Sequence, residues 1–520
     1  MGFLQEFYEN SYSGNYYYYI YLVSLIVLVF LLKGRRSKFV FPSIILSVVI
    51  FNPVFYKCWT SLGLYAYWRI LWVIPVVPIC AALPAVIAER IKSERLKVLC
   101  GMICVLFFVP LGPFIYSTDY GHFDVIASNA VKLPSPVPAV AEYLLKQDDD
   151  PKIIAVPDIS VYIRQYSGLI ETMYGRDIYG YIYEPNENAS KVNEAITSDD
   201  GDMDFVAELM KNEGYEFLVV QSGTFNKQQH IINSGFGLLD TVEGYDIYSL
   251  LDEYWIVTQY GDVQGGQSSF YTVVDPDGGL TIIDGGYDYQ YEEVYSVIQK
   301  HNGHVKNWIL SHPHFDHIGA FNRIMSDPEM SKNVHIDTIY ATPVNEERYE
   351  ETAQEYDRYQ DYLDFKKIAK DLNNIVYVSD GDEYDVAGLD MKIISAWDQD
   401  VDSLPDHLCN DGSLMFKLSG KEISMLFCSD VQSEMEKFIL PDCAEDIKAD
   451  YVQCGHHGNW GLSMEFYNNV SPQLAFMDAP SWLFETRDDI YDGYKTMDYF
   501  NKKGINVYTF EGAPHSVILY

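Results

Sequence analysis

The sequence predicts a chain in three parts: an α-helical segment of four membrane spans in residues 1–116, a small α/β domain in 117–250, and a larger strand-rich α/β domain in 251–520. Three observations predict this. Up to Tyr116 there are ten Lys and Arg against four Asp and Glu, and beyond it 26 against 70, so a segment of charge +6 precedes one of −44. Four long apolar stretches lie in the first part only. Ten of the twelve histidines follow residue 300, and several of them share one short run.

The apolar stretches 16–32, 39–55, 70–88 and 98–116 are 17 to 19 residues long and carry no charge inside. A helix needs about 20 such residues to cross a hydrocarbon core about 30 Å thick. The first stretch does not read as a cleaved leader, because Glu6 and Glu9 precede it and no small-residue cleavage site follows. No polar face recurs at helical spacing, which argues against buried helices of a soluble core. Lys33, Arg35, Arg36 and Lys38 fill the first loop and Arg90, Lys92, Arg95 and Lys97 the third, whereas the second holds Lys57 and Arg69. Positive residues stay on the cytoplasmic side, so both termini are expected outside. The Tyr16 to Tyr19 run and the group Trp59, Tyr65, Tyr67 and Trp68 fall where aromatic belts form. The expected location is the cell membrane, multi-pass, with both later domains extracytoplasmic. Eight cysteines in so long a chain do not imply a disulfide scaffold.

In 117–250 the pattern predicts a helix at 139–147, a strand at 152–156, a helix at 205–212, a strand at 217–221 and an edge strand at 246–250. Helices alternating with short apolar strands suggest a small layered domain. Arg164, Tyr166, Tyr174 and Arg176 have the composition of a saccharide or anion site, but an ordinary hydrogen-bonded surface is the better reading.

From 252 onward, strands are expected at 254–260 and 268–274. A Gly278-Gly279 turn then leads into 280–283, which ends at Asp284-Gly285-Gly286. A helix at 291–301 and a buried strand at 308–310 follow. The strand runs directly into Ser311-His312-Pro313-His314-Phe315-Asp316-His317. A polar helix at 346–372 reads as a covering insert. Imidazole nitrogen and carboxylate oxygen are the donors that zinc and similar borderline metals prefer. Residues two apart in an extended loop point the same way, so His312 and His314 can reach one ion. Asp316 and His317, at the start of a helix, can face a second.

This run resembles the HxHxDH signature of the metallo-β-lactamase fold, and further segments resemble that family's motifs in order. Ile282-Ile283-Asp284-Gly285-Gly286 is similar to its first motif, Met425 to Asp430 to the strand bearing a metal-bridging aspartate, and Val452 to Gly458 to the strand bearing the last histidine ligand. Asn410-Asp411-Gly412-Ser413-Leu414 resembles a segment of the hydrolase domains of bacterial competence DNA-uptake proteins. The first half, with its spans, bears a general likeness to uncharacterised bacterial polytopic membrane proteins, which supplies no activity.

The resemblance implies an αββα sandwich for 251–520. His312 and His314 would hold a first divalent metal, and Asp316, His317 and His456 a second, with Asp430 bridging. Asp284 would orient ligands from behind. His457 is the alternative to His456, which is favoured. The family's mid-domain histidine has no clear counterpart, and His407, Asn410 and His335 are the donors available. Cys428 and Cys454 read as buried thiols, and His515 as a proton donor or an incidental residue. The metal expected is zinc, as one or two ions, with manganese as an alternative.

Two such cations lower the pKa of a water between them from about 15.7 toward roughly 7. Asp316, placed to orient it, is the catalytic candidate. The chain is therefore expected to be a membrane-anchored, metal-dependent hydrolase of a phosphodiester or related ester. The alternative is a metal-binding, non-catalytic sensor or scaffold on a membrane anchor. A −44 balance repels a polyanion, which disfavours nucleic acid and favours a small molecule, a lipid head group or an envelope-polymer unit.

Overall fold

Asn52-Pro53 divides what the sequence presents as one apolar span. Proline lacks the N–H that a continuing helix would need, so Phe41–Ile50 ends and Pro53–Ser61 begins, with the Asn52 side chain accepting from the Val54 N–H at 2.8 Å. The computed structural model describes residues 17–34, 38, 40–62, 70, 73–108, 116–117, 122–123, 133–180, 185–487 and 490–520. The chain falls into two compact units, 1–127 and 128–520.

The first unit also contains the helices Tyr17–Leu31, Val76–Ala88 and Glu94–Phe108. Among the described residues no single helix is long and apolar enough to cross a membrane, so the expectation of four separate spans is not met there. Phe41–Ile50 and Pro53–Ser61 satisfy length and composition only together, bent by 59°. Glu94–Phe108 starts among charged residues, and Pro84 lies inside Val76–Ala88. Inside the unit, Tyr21, Leu25, Leu28, Ile50 and Ile79 pack together, and the Tyr21 hydroxyl lies 2.7 Å from Ser47 Oγ. Tyr16, Arg35, Arg36, Tyr65, Tyr67, Trp68 and Arg69, named above for loops and aromatic belts, lie outside the described residues.

The second unit begins with a five-stranded sheet in the order Glu171–Thr172, Lys152–Ala155, Phe217–Gln221, Tyr245–Leu250, Phe236–Val242. Its helices bury Val137, Leu144, Ile159, Val192, Val206 and Met210 against it. The strand expected at the edge, 246–250, is interior to it. Glu243 and Gly244 both take positive φ and fold Phe236–Val242 back onto its outer side as a hairpin. Glu-Gly is a weaker hairpin signal than Asn-Gly, so the turn is not evident in the sequence.

The remainder contains two seven-stranded sheets. One runs Ile375–Tyr377, His335–Ala341, His304–Leu310, Leu280–Asp284, Phe270–Val274, Trp255–Gln259, His515–Leu519. The other runs Glu383–Val386, Leu389–Ser395, Met415–Ser419, Ser424–Phe427, Tyr451–Gln453, Leu474–Phe476, Asn506–Tyr508. Alternate residues of both meet in one core, with Val257, Tyr271, Ile283 and Ile309 from the first and Met391, Phe416, Phe427 and Phe476 from the second. The other faces carry helices: Ile282 and Trp308 pack with Val294, Ile318 and Phe321, and Leu426 and Val452 pack with Ile439, Phe466 and Phe500. Helices therefore cover both outer faces of a sheet pair, as the αββα reading requires.

The helix expected over 346–372 is broken into Glu346–Thr352, a 3₁₀ turn at Glu355–Asp357 and Gln360–Ala369. Asp357 turns inward and accepts from the Gln354 N–H at 2.6 Å, and Arg358 follows at φ 47°. A local carboxylate bond of this kind competes with helical continuation.

Candidate metal centre

Leu280–Asp284 is buried along its length and places Asp284, at φ 54°, beneath the loop that follows His304–Leu310. Asp284 accepts from the Ser311 N–H and hydroxyl, each at 2.8 Å, and from His317 Nδ1 at 2.7 Å. This fixes the His317 ring with Nε2 directed away from Asp284, the arrangement expected of a carboxylate that orients a ligand. Gly319 makes the approach possible. A Cβ there would sit 2.3 Å from the Asp288 nitrogen, so only glycine lets the helix Phe315–Ser326 close onto Gly286.

The four residues of the histidine run converge. His312 Nε2 lies 3.0 Å from His314 Nδ1 and 3.7 Å from Asp430 Oδ2. His317 Nε2 lies 3.2 Å from Asp430 Oδ1. Asp316 Oδ2 lies 3.4 Å from His457 Nε2, which is itself 3.5 Å from Asp430 Oδ2. Asp430 is buried and central, held because the Ser429 N–H donates to Gln453 Oε1 at 2.7 Å and Gln453 donates to Asp478 at 3.0 Å.

The structure seats His457 within this group, whereas His456, the favoured reading, stands 4.0 Å from Asp430 at its rim beside Asn410 and Gln432. Strand alternation does not apply here, since His456 and His457 both adopt left-handed φ, 47° and 59°. Clustered left-handed non-glycine residues, here joined by Asp284 at φ 54° and Ser429 at φ 50°, are a form of strain found at functional sites.

Other sequence candidates lie apart. His407 is exposed, with its Nδ1 3.4 Å from the Tyr356 hydroxyl. His335 pairs with Asp337 on the exposed side of its strand. His515 stacks on Tyr508, with Nε2 2.9 Å from the Glu511 carbonyl. Asn410 is buried, and its Oδ1 has no hydrogen-bond partner among the described residues. Cys428 and Cys454 are free, buried thiols in the helix-facing core, and burial pushes both above the ordinary thiol range.

Asp357, which the sequence reading missed, lies 3.2 Å from His314 Nε2. Its position between tyrosines and glutamates in a polar insert gave no signal.

The donor set fits a divalent metal. His317 Nε2, Asp430 Oδ1 and His457 Nε2 are buried and make no hydrogen bond, although His317 Nε2 and Asp430 Oδ1 are close enough to attract. Buried polar atoms without partners are costly, and a shared cation would satisfy all three. Burial, followed by the neighbouring His317, holds His312 well below the ordinary imidazole range, in the neutral form that ligates. Burial alone would raise Asp430, but His317 and His457 outweigh it and hold the carboxylate well below its usual range.

Residues 264–394, about a quarter of the chain, match the family model described as the metallo-beta-lactamase superfamily. They include Asp284 and His312 to His317, while Asp430, His456 and His457 lie beyond them. The chain is similar to solved structures at low identity. CmlA, a diiron β-hydroxylase from Streptomyces venezuelae, shares 11% identity over 52% of this chain and 55% of that one, with a TM-score of 0.33. A metallo-β-lactamase from Cronobacter sakazakii shares 15% over 38% and 76%, at 0.25. MEM-A1, a subclass B3 metallo-β-lactamase from a soil metagenome library, shares 14% over 48% and 90%, at 0.25. The chain thus spans about half the length of CmlA. None of the curated proteins compared matches it.

Proposed function

We propose that residues 251–520 form a metal-dependent hydrolase that cleaves a phosphodiester or related ester, held at a membrane by residues 1–116. The observation that carries this is Asp430, one buried carboxylate whose Oδ2 lies 3.7 Å from His312 and 3.5 Å from His457 while its Oδ1 lies 3.2 Å from His317. Membership of the superfamily model supports the metal-dependent hydrolase class. His312 and His314 would hold one ion, and Asp316, His317 and His457 the other, with Asp430 shared between them. Zinc suits these donors, with manganese as the alternative. Bound there, it supplies a Lewis acid and lowers the pKa of an attached water.

The chain's own residues do the rest. Asp284 and Asp357 hold the outer nitrogens of His317 and His314, so the inner nitrogens keep their lone pairs directed at the centre. Asp316 is more exposed than Asp430 and is placed to orient a water and take its proton. Arg358 lies 4.5 Å over the Phe315 ring and pairs through Nε with Asp361 at 3.1 Å, which leaves its terminal N–H groups to meet an anionic ester. The acidic remainder of the chain favours a small molecule, a lipid head group or an envelope-polymer unit over nucleic acid.

Apolar side chains turned outward in the first unit support the membrane reading: Phe30 and Val77 are each 77% exposed. The loop charges support an extracytoplasmic placement of the later domains, on the reading in which the stretch 98–116 crosses the membrane. Incubating the detergent-solubilised protein with zinc or manganese and bis(p-nitrophenyl) phosphate tests the activity. Metal-dependent release of nitrophenol is expected, and turnover no greater than that of a His312→Ala, His314→Ala variant would sink the proposal. A sensor or scaffold reading has one observation in its favour, that His335 and His407, the histidines available to complete the first site, lie apart from the centre, and it predicts metal binding without turnover.

A further inference from the structure

A second group of histidines meets a carboxylate at the far end of the strand that leads into the centre. His304 and His335 are direct partners in the parallel register of His304–Leu310 and His335–Ala341. Paired residues send their side chains to the same side of a sheet, and so does the residue two further on. Asp337 therefore joins them, opposite the buried Val305 and Ile336. Asp337 Oδ2 lies 2.9 Å from His304 Nε2, and Oδ1 lies 3.2 Å from His335 Nε2. The imidazole rings are 5.4 Å apart and inclined at 32°. One donor atom from each residue lies within 4.8 Å of the other two. Lys306, the nearby cation on the same strand, is engaged elsewhere, donating to Asp275 Oδ2 at 2.6 Å.

We propose that His304, His335 and Asp337 bind one divalent transition-metal ion, of the class that imidazole and carboxylate select, with zinc as the representative. Two imidazoles and one carboxylate are a sufficient protein ligand set when water completes the coordination. The seven residues of His304–Leu310 place this site roughly 20 Å from His312, at about 3.3 Å per residue, so the two centres share no ligand. An ion there would clip two neighbouring strands where the chain enters them. The site does not depend on the buried centre being catalytic.

The test uses the full-length protein, without a polyhistidine tag and stripped by chelator, titrated with zinc in equilibrium dialysis with bound metal counted by mass spectrometry. His304→Ala, His335→Ala is expected to lose one equivalent and keep the zinc of the buried centre. His312→Ala, His314→Ala should show the reverse. Asp337→Asn, nearly isosteric and exposed, should lose the same equivalent as the His304, His335 variant, which guards against a folding artefact in the double substitution. An isotherm of the His304→Ala, His335→Ala variant that coincides with wild type overturns the proposal. So does an Asp337→Asn isotherm that does.

Discussion

Asp357 Oδ1 lies 3.2 Å from Nε2 of His314, and the other nitrogen of that ring lies 3.0 Å from His312 Nε2. The insert thus reaches into the centre and fixes which nitrogen of His314 is available to a metal. Outer carboxylates of this kind contribute about 10- to 100-fold to metal affinity. Asp357→Ala should weaken zinc binding in a chelator competition by that order, and Asp357→Asn, whose carbonyl can still accept the bond, should recover part of it. Equal affinities for all three proteins would show that the contact does not orient the ligand.

His457 lies 3.4 Å from Asp316 and 3.5 Å from Asp430, whereas His456 lies 4.0 Å from Asp430. His457→Ala should therefore abolish metal-dependent turnover and reduce the number of ions bound. His456→Ala, at the rim beside Asn410, should retain the metal and lose less activity. The reverse ranking in paired kinetic and metal-content measurements would restore the sequence-based assignment.

Removing the metal should destabilise residues 128–520. A ligand that binds only the folded state at about 100 times its Kd adds roughly 2.7 kcal/mol. Thermal denaturation with and without zinc should show a rise in Tm for wild type. The rise should be smaller in His312→Ala, His314→Ala, and an equal rise in both would place the stabilising ion elsewhere.

Asp411 is buried, and burial pushes its carboxyl up to about 7, against the lowering effect of the Gln432 N–H at 3.0 Å. A raised folded-state pKa means the folded chain holds a proton that the unfolded chain has lost. The penalty is absent below about pH 4, grows between about 4 and 7, and is complete above 7. Asp411→Asn should therefore stabilise the protein at pH 8 by an amount on the order of 4 kcal/mol at most, and leave it unchanged near pH 4. Urea denaturation at the two pH values measures the difference, and a gain that does not depend on pH would refute the cause given.

Much of the centre was legible because its residues are local. His312, His314, Asp316 and His317 lie in six residues after an apolar strand, Asp284 ends another, and Asp430 follows a third by three residues. What was not legible depends on geometry that spacing does not encode. The choice between His456 and His457 turns on two left-handed residues in succession, and Asp357 comes from an insert whose break into three short helices no apolar pattern announces. In the first unit, hydropathy marked the apolar stretches but not the break at Pro53 or the start of the last helix at Glu94, four residues before its apolar stretch.

The measurement that bears most directly on the account is the metal content of the purified, untagged protein alongside the His312→Ala, His314→Ala and Asp430→Asn variants, all dialysed at low zinc so that only tight sites stay filled. About two tightly held ions per chain are expected in wild type, the number that a carboxylate shared between two sites would serve, and fewer in both variants. A wild type that retains none, or variants that retain as many ions as wild type, would contradict it.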